Sequence, residues 1–283
     1  MTTTAPESLM RSVVVTGATS GIGRAIAVDL AGHGYHVVAT ARTPEKAEKL
    51  AAEAAARGHG LSTVLMDVAD PQSCLDATER IAQLTDGGPW ALVNNAGIAP
   101  PGAFEDIPEH TARAVLETNL LGPARMTRLV LPAMRHRGDG RVVMMSSIFG
   151  LLSAPFNGWY SASKFALEAL SDALRVELTG TGVRVSLIEP GFVDTPMISG
   201  VLESFPEDSR YGSSYVAARR LVAAAPSPGP EAVARVVRHA LDANTPRRRY
   251  LVGPTATMTR LLRLLPAAAL DRAAAAAARL GKD

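Results

Sequence analysis

The chain has 283 residues, 47% of them hydrophobic and 20% charged, with a formal net charge of +2. That is enough to bury a full core in one domain spanning 1–283, and too little charge to suggest a nucleic-acid partner. The single cysteine, Cys74, excludes an intrachain disulfide and has no His or Cys at metal-ligand spacing; no run spans a bilayer and the opening "MTTTAPESLM" has no leader pattern, so a cytoplasmic protein is expected.

Short β-branched runs alternate along the chain with longer helical patterns. The candidate strands are "SVVVTG" (12–17), "YHVVAT" (35–40), "LSTVLMDV" (61–68), "WALVNN" (90–95), "GRVVMMSS" (140–147), "GVRVSLIEP" (182–190) and "RYLVG" (249–253). They are apolar on both alternating faces, as strands covered by helices on each side must be, and most of the segments between them have crossover length. An α/β fold with a parallel, doubly wound sheet of about seven strands follows. Residues 195–230 break the alternation: they carry Pro196, Pro206, Pro226, Pro228 and Pro230 and read as an irregular lid over a binding edge. Arg247 to Arg249 read as a solvated loop. The Ala- and Leu-rich extension 254–283 reads as a packing helix, with capping the pocket, pairing subunits or lying on a membrane surface as alternatives.

The first candidate strand runs into "TGATSGIGRAIAVDL". Here Gly17, Gly21 and Gly23 stand where a strand meets a helix, so free backbone N–H groups and the positive end of the helix dipole can meet a phosphate. Gly17 permits the tight turn, Gly21 a close approach of backbone to pyrophosphate, and Gly23 close packing of helix on sheet. The spacing G-x-x-x-G-x-G departs from the commoner dinucleotide fingerprint G-x-G-x-x-G. It resembles the short-chain dehydrogenase/reductase family, whose T-G-x-x-x-G-x-G motif matches Thr16 to Gly23. The resemblance covers about 11–253. It implies a Rossmann-type fold and a nicotinamide dinucleotide held by Gly17, Thr19, Ser20, Gly21, Ile22 and Gly23.

The second strand ends "VVATARTPEK". The position where NAD users of the family carry Asp is occupied by Ala41, and Arg42 follows; an Arg fork suits a 2′-phosphate that an acid would repel, so NADP(H) is favoured over NAD(H). After the third strand, Asp67 and Val68 resemble the family's adenine contact, although Asp also caps helices readily. "NNAG" after the fourth strand resembles the family's loop motif and implies Asn94, Ala96 and Gly97 at the cofactor. Asn119 lies amid strong helix formers, where an amide that competes for backbone hydrogen bonds is disfavoured, and Gly122 and Pro123 suggest a local kink. The family's matching Asn sits at a helix distortion and positions a water in the proton relay.

The fifth strand ends at Ser147, and thirteen residues on, Tyr160 and Lys164 share a helix face at i and i+4. Alone, such a pair is commonplace, and Glu168 offers Lys164 an i+4 partner. In the family's order, after the glycine turn, NNAG and Asn119, the resemblance implies Asn119, Ser147, Tyr160 and Lys164 as the catalytic set. Lys164, aided by a positive nicotinamide, would lower the Tyr160 pKa and hold the ribose hydroxyls. "EPGFVDTPM" resembles the family's P-G motif and implies Pro190, Gly191, Val193 and Thr195 near the nicotinamide. Ser147, Phe149, Leu151, Leu152, Phe156, Trp159, Tyr160, Phe192 and Met197 are the candidate substrate walls, and they suggest a lipophilic carbonyl or alcohol. The expected activity is NADPH-dependent reduction of a ketone or aldehyde, or its reverse. A redox-neutral cyclase, epimerase or dehydratase and a non-catalytic NADP-binding sensor are the alternatives. A homodimer or homotetramer through the helices of 108–136 and 159–180 is expected by analogy.

Overall fold

In the computed structural model, which describes residues 10–280, seven strands form one wholly parallel sheet. In chain order they are β1 (Ser12–Val15), β2 (His36–Ala41), β3 (Ser62–Leu65), β4 (Ala91–Asn94), β5 (Gly140–Met145), β6 (Val183–Pro190) and β7 (Arg249–Val252), arranged 3-2-1-4-5-6-7. The helices are α1 (Gly21–Ala31), α2 (Pro44–Ala56), α3 (Pro71–Leu84), α4 (Glu109–Leu116), α5 (Gly122–Arg137), α6 (Gly158–Glu177), α7 (Pro196–Glu203), α8 (Gly212–Ala224), α9 (Glu231–Asp242), α10 (Pro254–Leu262) and α11 (Ala267–Ala277). All seven expected strands are present. Several end earlier than their apolar runs: Gly17, Met66 to Val68, Ser146 and Ser147 leave the sheet and line a cleft at its C-terminal edge.

Strand alternation sends side chains to two cores. Val13 and Val15 of β1 pack with α1 and α9, through Ile26, Leu30, Val237 and Leu241. Val14 faces the other way, toward Cys74 and Ile81 of α3, Met126 and Met134 of α5 and Leu167 of α6. Each side chain in β1 and β4 is buried, which explains runs that are apolar at every position. Cys74 packs in this second core, where burial pushes its thiol pKa up. The N-terminal stretch read for a leader lies outside the described residues. Among the described residues no helix is long and apolar enough to cross a membrane, and no His, Cys, Asp or Glu cluster could hold a metal.

Three expectations change. The segment 195–230 is mostly helical rather than irregular, because its prolines fall at helix boundaries: Pro196 opens α7, and Pro226, Pro228 and Pro230 separate α8 from α9. The extension is two helices, with Pro266 at the break, and Ala274 and Ala277 of the second, with Ala278 just after it, line the cleft, so it caps the pocket. Arg249 is the first residue of β7 and is tied into a buried ion network, while Arg247 and Arg248 are exposed as expected.

The lid is latched. The Tyr215 hydroxyl of α8, on a ring only 2% exposed, donates to Asp106 and accepts the Ala103 N–H at 2.8 Å, and Ser209 also donates to Asp106 at 2.6 Å. Tyr215→Phe removes the donor to Asp106 and strands a buried N–H, a loss of about 1–3 kcal/mol confined to this contact. Limited proteolysis should then cut the 204–211 connection at least several-fold faster, with little change in the denaturation midpoint of the sheet.

Candidate active site

At the boundary between β1 and β4 the crossovers part in opposite directions, and the loops that leave these strands open a cleft. Its volume is about 660 Å³, within the usual range for small-molecule sites. One wall is the turn after β1. Gly17 and Gly21 sit at φ +64° and +48°, in the left-handed region, and a Cβ on Gly17 would lie 2.9 Å from the Ala96 backbone. Ser20 precedes α1 but its side chain caps none of the first N–H groups, which leaves the helix start open to an anion.

A clasp holds the β1 and β4 loops together. The Thr16 hydroxyl accepts the N–H groups of Asn95 and Ala96 at 2.9 and 3.0 Å, and the Asn95 amide donates to the carbonyls of Thr16 and Gly17 at 2.9 and 3.2 Å. Asn95, which sequence reasoning passed over in favour of its neighbour, lines the cleft; Asn94 does not. The Asn94 amide is buried on the opposite face and donates to Thr127 Oγ1 at 3.0 Å, because adjacent residues at a strand end point to opposite sides. The doubled Asn was the available signal, and strand parity the deciding one.

Asn119 also departs from expectation. It lies in a π-helical turn, Glu117–Leu121, between α4 and α5, so the expected distortion is present. Its side chain, however, is fully buried outside the cleft wall. It accepts the Ile98 N–H at 2.9 Å and donates to the Ile98 carbonyl at 2.9 Å and to Ser163 Oγ at 3.1 Å, which braces the loop after β4 against α6.

Ser147, Tyr160 and Lys164 do meet in the cleft. Ser147 leaves β5 in an extended conformation, its Oγ accepting the Phe149 N–H at 3.2 Å. Tyr160 is in the first turn of α6. Burial pushes its phenol up to about 12, against a hydrogen bond with Ser147 that favours the phenolate. Lys164, only 4% exposed, lies one turn on; its Nζ donates to the Met145 carbonyl at 2.7 Å and stands 5.5 Å from the centre of the Tyr160 ring. Burial lowers its pKa to about 8, with Glu168 acting in the opposite direction. Desolvation of the phenol outweighs the hydrogen bond with Ser147, so Tyr160 is held in its protonated form.

The remaining named residues line the cleft: Thr19, Ser20, Ile22, Gly23, Arg42, Asp67, Val68, Ala96 and Gly97 on one side, Pro190, Gly191, Val193 and Thr195 on the other. Asp67 makes a local turn, accepting the Ala69 N–H at 2.9 Å, while Asp70 caps α3. Phe149, Phe156, Phe192 and Met197 line the inner end; Leu151, Leu152 and Trp159 do not, and Trp159 instead stacks on Phe104. Phe149 touches both Tyr160 and Phe192 edge-on, at centroid distances of 6.2 and 6.0 Å. Phe156 holds a positive φ of 66°, strained for a non-glycine residue, with its ring packed at 4.8 Å against Tyr215. Phe205, Val201, Ala218, Leu221 and Val222 of the lid extend the apolar wall, which sequence could place only as "the lid".

A sequence model of the short chain dehydrogenase family matches residues 11–204. The chain belongs to this family. Its short-chain dehydrogenase relatives include the uncharacterized oxidoreductase YbbO of Escherichia coli K12, 38% identical over 93% of this chain and 94% of that one. Human retinol dehydrogenase 5 is 36% identical over 92% and 86% of the two chains. A short-chain dehydrogenase of Streptomyces avermitilis superposes with a TM-score of 0.80 at 33% identity, over 95% and 96%. Solved members of the family carry NAD or NADPH.

A Cβ on Gly23 would lie 2.3 Å from the Gly17 carbonyl oxygen and 2.4 Å from Asn95 Nδ2, both parts of the clasp. Gly23→Ala is therefore expected to weaken binding of either nicotinamide dinucleotide at least tenfold in a fluorescence titration, with the circular dichroism of the sheet retained.

Proposed function

We propose that this oxidoreductase reduces a ketone or aldehyde on a lipophilic substrate with NADPH, or runs the reverse oxidation. The observation that carries the reading is the meeting of Ser147, Tyr160 and Lys164 at the inner end of a cleft whose outer end is an uncapped helix start. The glycine cradle fits a dinucleotide: Cβ atoms at Gly17 and Gly23 would collide with Ala96 and with the clasp, so only glycines let the turn close beneath an open helix start. Gly17, Thr19, Ser20, Gly21, Ile22 and Gly23 would hold the pyrophosphate, Asp67 and Val68 the adenine end, and Pro190, Gly191, Val193 and Thr195 the nicotinamide end. The reduced nicotinamide supplies hydride to the carbonyl carbon.

The chain's own residues do the rest. Ser147 donates a hydrogen bond to the carbonyl oxygen and orients it. Tyr160, held protonated by burial, transfers its proton to that oxygen as negative charge develops there. Lys164, one turn away, brings a cation to the phenol and stabilises the phenolate left behind. Asn119 is a positioning residue in this reading, since its amide is spent on Ile98 and Ser163. Burial leaves the phenol in the protonated form a donor needs, and the cation of Lys164 offsets the cost of ionising it; a binding protein without turnover would have no use for such a pair.

Arg42 supports NADP(H). It follows the buried Ala41 at the end of β2, is exposed on the cleft wall and makes no ion pair among the described residues, so its guanidinium is free for a 2′-phosphate. Support for a lipophilic substrate comes from the aromatic inner end and the aliphatic walls of α8 and α11. The sheet, the lid and the two C-terminal helices act as one catalytic domain. Exposed Phe165, Leu170 and Val176 on α6 support a homo-oligomer formed through that helix.

Tyr160→Phe should keep NADPH binding and lower the rate of carbonyl reduction, followed at 340 nm, by at least about a thousandfold; turnover within tenfold of the wild type would refute the assignment. Arg42→Ala should raise the Kd for NADPH by about 1–3 kcal/mol equivalent and leave that for NADH nearly unchanged. Equal losses for both cofactors would remove the case for NADP(H).

A further inference from the structure

Next to Lys164, outside the cleft wall, lies a buried pair of carboxylates that the reaction as described does not use. Glu168 stands one turn beyond Lys164 on α6, 7% exposed, and Glu189, 2% exposed, precedes Pro190 on β6. Arg249 of β7 reaches both: its Nε donates to Glu168 Oε2 at 2.9 Å and stands 3.2 Å from Glu189 Oε1. Its terminal nitrogen donates to Asp172 Oδ2 at 2.7 Å, and Asp172 also pairs with Arg175 on the outer side of α6. Two buried carboxylates thus share one guanidinium on the inner side. Glu168 Oε1 and Glu189 Oε1 each lack a hydrogen-bond partner, although both side chains converge on Arg249 Nε. A proton on Glu189 removes the like-charge repulsion between them.

The geometry points to Glu168 as a positioning residue for the reaction: anchored by Arg249 and relieved of repulsion by a proton on Glu189, its carboxylate keeps the buried Lys164 an ammonium. The inference rests on the role proposed for Tyr160 and Lys164. Lys164 has one protein hydrogen bond, to Met145, and burial works against its charge; Glu168 is the group that works for it. Burial, and then Glu168, pushes Glu189 up to about 7, so near neutral pH it can carry that proton. The groups that face the pair are Lys164 and Asp172 from α6, Arg249 from β7, Ser146 from the loop after β5, and Arg263 just beyond α10, which acts on Glu189. Ser146 Oγ and Glu168 Cγ both crowd Gly150, where a Cβ would meet them at 2.8 and 3.1 Å, so the Glu168 side chain has little freedom to swing away.

The alternative is that these ion pairs only strap β7 to α6, and the two roles differ in what they do to Lys164. The chain has four lysines, Lys46, Lys49, Lys164 and Lys282, so lysine labelled with 13C at the ε carbon gives a sparse spectrum, and Lys164→Met identifies the resonance of interest. In protein without cofactor this resonance is expected to titrate near pH 8. In Glu168→Gln the midpoint should fall by about one pH unit or more, a tenfold easier loss of the proton, while Asp172→Asn should leave it in place. A folded Glu168→Gln with the wild-type midpoint overturns the inference in favour of a strap. If Glu168→Gln does not fold, Glu168→Met, which removes the charge without leaving a buried amide, should give the same fall in the Lys164 midpoint; an unmoved midpoint overturns the inference equally. The titration needs neither substrate nor turnover. Its failure leaves the Tyr160 assignment standing, and an active Tyr160→Phe would unseat that assignment without moving the titration.

Discussion

A parallel sheet covered by helices on both faces has no free surface except its ends, and everything functional in this chain follows from that restriction. The strands β1, β4, β5 and β6 deliver Gly17, Asn95, Ser147 and Pro190 to one edge, where the backbone must leave the sheet. Loops at that edge lose their ladder partners and have to find others. Thr16 and Asn95 provide them, joining the first and fourth loops across the point where the crossovers diverge. The same contacts that satisfy the backbone also hold the cleft open at a defined width.

Burial then sets the chemistry at this edge. A phenol and an ammonium in a site with little water are both pushed toward their neutral forms, Tyr160 upward and Lys164 downward. In the proposed reaction this leaves the phenol in the form a donor needs while making its proton harder to give up. For the ammonium it is a difficulty, because its charge is what is proposed to stabilise the phenolate. The fold places Glu168 one turn along the same helix, and Arg249 arrives from β7 to hold it. The far end of the sheet is thereby linked to α6 by charge, in addition to the apolar packing of α6 against β5 and β6.

Much of this was legible from residue order. The alternation of apolar runs with helical segments foretold seven parallel strands because strands buried on both faces must be apolar throughout, and the glycine spacing located the open helix start. Asn119 announced its distortion by being a poor helix former in a good helix. The errors share one cause. Asn94 was preferred to Asn95, although only a known strand end tells which of two adjacent side chains faces the cleft. Trp159, Leu151 and Leu152 were counted as walls for their hydrophobicity, yet an apolar side chain serves equally well stacked on Phe104 or buried behind the loop. The lid prolines looked like breaks and proved to be helix boundaries.

By itself, then, the sequence determined the fold class, the place of the glycine turn and the choice of Ser147, Tyr160 and Lys164 as residues that meet in one cleft, because periodicity, glycine torsions and i to i+4 spacing are local properties of a chain. Tertiary structure alone decided that α11 closes the pocket, that Tyr215 latches the lid through Asp106, and that Arg249, 81 residues from Glu168, completes the surroundings of Lys164. These are contacts between segments far apart in the chain. Their partners are set by how the layers pack, and no local pattern carries that information.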